Sequence, residues 1–173
     1  MPRDRKGILV LTKATRRWGT VLAALCLALA GVMGFSGSAS AAPPNCNHSA
    51  GPGAVVDAHY IDIQGNGAHI GAVQLCTQGG YYWAYVQFYA PMAAGNYGQA
   101  VLYHYTNGVR TGSWNCDASG GNDHVTPGQV QCWTPRIHRG SAADTFLAYG
   151  EDCLGTYPSC GFRDSWGWTH ITA

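Results

Sequence analysis

From Ala42 onward the chain contains no lysine, because Lys6 and Lys13 both lie near the start. Charge is scarce there altogether. Arg110, Arg136, Arg139 and Arg163 face Asp57, Asp62, Asp117, Asp123, Asp144, Glu151, Asp152 and Asp164, a net charge of −4 with histidine neutral. That balance lacks the basic footprint of nucleic-acid binding. It equally disfavours anionic membrane surfaces. A neutral partner suits it better.

Several chemical signatures are missing too. No C-x₂₋₄-C pair is present, so the cysteines do not read as a zinc site. There is no H-E-x-x-H and no G-x-S-x-G nucleophile elbow. A glycosidase needs two carboxylates at a set separation; Glu151 is the only glutamate, and a pair drawn from Asp57, Asp62, Asp117, Asp123, Asp144 and Asp164 would have to meet in space, which spacing along the chain does not show. Nothing calls for a metal or another cofactor. Helix signals are nearly absent after residue 42: no window has a convincing i, i+3, i+4, i+7 pattern, and glycine is frequent.

The N-terminus carries what the rest lacks. Arg3, Arg5, Lys6, Lys13, Arg16 and Arg17 precede the uncharged "VLAALCLALAGVMGF", and small residues follow. A basic segment, an apolar segment and an A-x-A site form a secretory signal peptide. Ala39 and Ala41 fit the −3 and −1 positions, so 1–41 reads as a leader cleaved after Ala41. The apolar run is short for a spanning helix, which needs about 20 residues. The mature chain, 42–173, then reads as one secreted domain with no membrane attachment.

Six cysteines remain: Cys46, Cys76, Cys116, Cys132, Cys153 and Cys160. An even number in an exported chain implies disulfides. Proximity along the chain favours Cys153–Cys160 and Cys116–Cys132, which leaves Cys46–Cys76.

Strand signals recur with turn residues between them, and predict strands near 54–63, 68–76, 81–89, 98–106, 109–115, 129–137, 144–150 and 165–171. Many short strands point to an all-β domain, a two-layer antiparallel sandwich or alternatively a small barrel. Asn107-Gly108 predicts a two-residue hairpin pairing Tyr103 with Gly112 and Val101 with Trp114. Val101, Tyr103, Tyr105, Gly112 and Trp114 then form the better core face. Gly79-Gly80 predicts a second hairpin, with Gln78 opposite Tyr81, Cys76 opposite Trp83 and Val73 opposite Val86. Its apolar set is Val73, Leu75, Tyr82, Ala84, Val86 and Phe88.

The other face of that hairpin holds Gln74, Gln78, Tyr81, Trp83, Tyr85, Gln87 and Tyr89. Tyrosine and tryptophan offer an apolar body with a polar tip, and glutamine adds uncharged donors and acceptors. An open face of this kind suits a neutral polysaccharide such as a cell-wall glycan. The competing reading is a second core, since aromatic cross-strand pairs also stabilise sheets. "DSWGWTHIT" places Trp166, Trp168 and His170 on one side of a strand, as packing or as a platform. "GGNDHVTPG" offers Asp123 and His124, and "DAHYID" offers Asp57 and His59 against Tyr60 and Asp62, at most fragments of a metal site.

The sequence thus favours a secreted, non-catalytic binding protein for a neutral polysaccharide. The alternative is an inhibitor or partner of a secreted hydrolase, acting through loops such as "LGTYPS" and "APMAAGNYG". A small secreted hydrolase is the third reading.

Overall fold

The computed structural model describes Cys46 and residues 53–172. The leader over 1–41 and its cleavage point lie outside those residues. Nine strands follow one another: β1 (Ala54–Ile63), β2 (His69–Gln78), β3 (Tyr81–Phe88), β4 (Asn96–Thr106), β5 (Val109–Asn115), β6 (Gln131–Trp133), β7 (Ile137–His138), β8 (Asp144–Leu154) and β9 (Phe162–Trp168). Among the described residues there is no helix. All pairings between strands are antiparallel. The sheet runs β5-β4-β8-β9-β1-β2-β3-β6, with β7 attached to β3.

This sheet curls into a half-barrel, and its inner face is the core. Val73 and Leu75 from β2 and Ala84, Val86 and Phe88 from β3 meet Ala100 and Leu102 from β4 and Phe146 and Ala148 from β8. Tyr82 stacks on Phe146 with centroids 4.6 Å apart. The opposed walls come closest at Gly150. A Cβ there would lie 3.0 Å from both Ile61 Cδ1 and Val73 Cβ. The missing side chain lets β8 approach β1 and β2.

The Gly79-Gly80 hairpin has the predicted register from Gln78↔Tyr81 through Val73↔Val86. Both glycines have positive φ, 58° and 81°, as a type I′ turn requires. The Asn107-Gly108 hairpin starts as predicted, with Thr106↔Val109 and Tyr105↔Arg110. A bulge at Thr111 then shifts the register, giving His104↔Gly112 and Leu102↔Trp114. The Thr111 hydroxyl bonds His104 Nδ1 at 3.1 Å and approaches the Thr106 hydroxyl at 3.4 Å. The extra residue moves Trp114 onto the face of Leu102. That face, and not the one predicted from Val101, Tyr103 and Tyr105, is the core.

The predicted strand at 129–137 is two short ones. Thr134 and Pro135 interrupt it, and proline has no N–H for the ladder. Strand β8 runs on to Leu154, and β9 starts earlier, at Phe162. The three cysteine pairs are the expected ones, with S–S distances of 2.06 Å for Cys46–Cys76, 2.12 Å for Cys116–Cys132 and 2.23 Å for Cys153–Cys160.

Candidate functional site

The Tyr/Trp/Gln face of β2 and β3 is not an open platform. Gln74 and Trp83 are fully buried, and Tyr85 is 2% exposed. With Cys46 and Cys76 they form a second, smaller core, against which Trp133 packs. The cover comes from distant parts of the chain. A Cβ on Gly53 would fall 2.3 Å from the Trp83 ring, and the Arg136 guanidinium sits 4.4 Å from its centroid. Arg136 Nη2 also donates to Gln78 Oε1 at 2.7 Å. The Tyr85 hydroxyl donates to Gln131 Oε1 at 2.7 Å and Gln87 Oε1 at 3.0 Å. Burial pushes the Tyr85 phenol up. Of the predicted set, Gln78, Tyr81 and Tyr89 are exposed, and Gln87 is half-buried. They stand around the second core and do not form a continuous surface.

An aromatic surface does exist, on the outer face of β4, β8 and β9. Ala148 and Gly150 point inward, so Leu147, Tyr149 and Glu151 point out. On β9 Ser165, Gly167 and Thr169 are buried, which turns Trp166 and Trp168 outward. Tyr149 lies directly opposite Trp168. On its other side Tyr103 brings its ring to 6.4 Å from that of Tyr149. The rings form a row across three strands, at a strand spacing of about 4.8 Å. Trp168 is its most open member, 53% exposed.

Beside the row lies charge that is already compensated. Glu151 is buried, and its Oε2 accepts from Arg163 Nε at 2.6 Å and from the Tyr149 hydroxyl at 2.9 Å. Burial, and then Glu151, push the Tyr149 phenol strongly up.

Trp168 also belongs to a cleft of about 370 Å³ between β1 and β9, lined by His59, Asp62, Gln64, Gly65, Trp166 and Trp168. Gly167 makes the cleft possible, because its Cα lies against the backbone of Tyr60. Two Asp–His pairs brace the surroundings. Asp62 Oδ1 is 2.6 Å from His69 Nδ1, and the His69 ring stacks on Tyr60 at 4.0 Å. Asp57 Oδ2 accepts from the His170 backbone N at 2.7 Å and pins the chain just beyond Trp168. Each aspartate of "DAHYID" thus pairs with a histidine from elsewhere in the chain.

The loops of interest to the protein-partner reading also meet. Residues 89–95, 116–130 and 155–161 converge, and Gly155 N donates to Gly95 O at 2.8 Å. Asp117 is the hub. Its Oδ1 contacts His124 Nδ1 at 3.0 Å, and its Oδ2 accepts from Gln99 Nε2 at 3.0 Å and from the Tyr157 hydroxyl. Burial alone would raise the Asp117 carboxyl, but hydrogen bonding with Asp123, Tyr157 and His124 outweighs it and holds it at about 2. The same bond, with burial, pushes the Tyr157 phenol to about 12. Among the described residues the group able to hold a metal ion is Asp117, Asp123 and His124, with ligand atoms within 4.8 Å of one another. These atoms already satisfy each other at hydrogen-bond distances.

Sequence reasoning singled out Trp166, Trp168, Asp123 and His124, but not Tyr103 or Tyr149 as a surface row, since that assignment depends on how β8 pairs with β4 and β9. No family model matches the chain, and neither a curated protein nor a solved structure shows significant similarity to it.

Proposed function

We propose that this chain is a secreted, non-catalytic protein that binds a neutral polysaccharide, with Trp168 as the central contact. The observation that carries this reading is the position of Trp168, half exposed where the aromatic row meets the cleft of Trp166, Asp62 and Gln64. Sugar rings present C–H faces that stack on such rings, while amides and carboxylates take their hydroxyls. A row of rings across strands suits an extended chain of sugars. The facing walls of the half-barrel fit the two layers of a sandwich, because the path of the sheet ends at β5 and β6 and does not close. Retention on insoluble glucans, chitin and bacterial cell wall tests the function. Retention on at least one, weakened in Trp168→Ala, is expected. No retention on any of them refutes it.

A second reading rests on a different observation. Leu154 and Phe162 face each other across the neck of the Cys153–Cys160 loop, 51% and 55% exposed. A disulfide-pinned loop with apolar side chains suits a protein target, since little entropy is lost on binding. Titration against secreted proteases and amylases tests it, and undiminished activity across the panel removes it.

A further inference from the structure

A second cleft, of about 350 Å³, opens among the three converging loops and is lined by Asn96, Tyr97, His124, Thr126, Thr156 and Tyr157. His124 is constrained on almost every side. Its Nδ1 lies 2.7 Å from Asp123 Oδ1 and 3.0 Å from Asp117 Oδ1. One ring face stacks on Tyr157 at 4.0 Å, and Tyr97 stands nearly perpendicular to the ring, with centroids 5.9 Å apart. A ring nitrogen at hydrogen-bond distance from two carboxylate oxygens carries a proton, so Nδ1 is committed as a donor to them. Nε2 is the remaining polar edge of a ring that lines the cleft.

Other polar groups of the cleft are largely committed. The Tyr157 hydroxyl goes to Asp117, the Tyr97 hydroxyl donates to Pro158 O, and Asn96 Nδ2 donates to Asp152. The hydroxyls of Thr126 and Thr156 remain, against the apolar surfaces of Tyr97 and Pro127. Two carboxylates directly behind the imidazole disfavour an anion. Disulfides Cys116–Cys132 and Cys153–Cys160 hold two of the loops, so the geometry is set before a ligand arrives.

We infer that this cleft is a second binding site, for a single neutral hydroxyl-bearing unit such as one sugar residue, with His124 Nε2 and the Thr126 and Thr156 hydroxyls as its hydrogen-bonding groups. The site is independent of Trp168, so either can fail without the other. The test is NMR on the oxidised, ¹⁵N-labelled protein, with methyl glucoside and N-acetylglucosamine as probes. At least one sugar is expected to shift the amides of Tyr97, Thr126 and Thr156, in wild type and in Trp168→Ala alike. His124→Phe keeps the stacking and removes the polar edge, and it should weaken that binding about two- to tenfold, the range for one hydrogen bond. Thr156→Val changes an exposed side chain, and a similar loss there guards against misfolding of the first variant. Shifts confined to Trp166 and Trp168, or no shift with either sugar, overturn the inference.

Discussion

Two tryptophans should answer truncation in opposite ways. Trp168 is 53% exposed and Trp83 is fully buried. A tryptophan carries up to about 250 Å² of contact surface, so roughly 130 Å² of Trp168 faces solvent. A sugar stacked on one ring face covers about half of that. At about 25 cal/mol per Å² this contributes about 1.5 kcal/mol, or roughly tenfold in affinity. Trp168→Ala should therefore bind polysaccharide about tenfold more weakly. It also loses the packing of its buried half, about 1–2 kcal/mol of stability. Trp83→Ala empties the second core and should cost about 3–5 kcal/mol. For a domain of this size each kcal/mol lowers Tm by about 3–5 °C. Calorimetric melting and affinity electrophoresis in polysaccharide gels, run where both variants are folded, give the two readouts. The expected pattern is a modest Tm loss with weak binding for Trp168→Ala, and a large Tm loss with unchanged binding for Trp83→Ala. Wild-type binding by Trp168→Ala, or lost binding by folded Trp83→Ala, refutes the assignment.

Reduction should unfold the protein. The loops closed by the disulfides, with separations of 30, 16 and 7, are worth about 3.5, 3 and 2.5 kcal/mol in the chain-entropy model. Together they rival the whole stability of a typical domain, and loss of near-ultraviolet dichroism in reductant measures the effect. Gly150→Ala should lower stability by about 1–3 kcal/mol through overpacking against Ile61 and Val73, read from denaturant midpoints. Acid should destabilise the fold as pH falls from about 5 towards 2. Asp117 and Asp144 are both held at about 2, Asp144 first by the Thr106 hydroxyl against the opposing effect of burial. A depressed carboxyl stabilises above its unfolded value of about 3.9 and loses that contribution as it protonates in the native state. Asp144→Asn should flatten the acid limb of Tm against pH, and an unchanged limb counts against its role.

The sequence made local order readable where turns dictate it. Strands β1 and β5 have the predicted limits, and Gly79-Gly80 set the register of β2 and β3 because a one-residue slip would have exchanged their faces. The cysteine pairing followed from short loops. What stayed hidden depends on distant residues. Thr111 gives no composition cue that it is the extra residue of a bulge, yet it decides whether Trp114 lies with Leu102 or with Tyr103. Likewise, nothing near Trp83 announces that Gly53, Trp133 and Arg136 cover it. The candidate surface was half visible: the period-two Trp166 and Trp168 could be read, but the row completed by Tyr149 and Tyr103 required knowing that β8 lies between β4 and β9.

The second core also makes the burial of an aromatic wall depend on redox chemistry. Cys76 lies on the face that carries Gln74, Trp83 and Tyr85, and its partner Cys46 packs against the same rings. Without that bond nothing covalent would hold Cys46 there, and the cover of Trp83 would rest on packing and on the Arg136 contacts alone. The seal over these rings is thus a part of the structure that an oxidising environment maintains and a reducing one loosens.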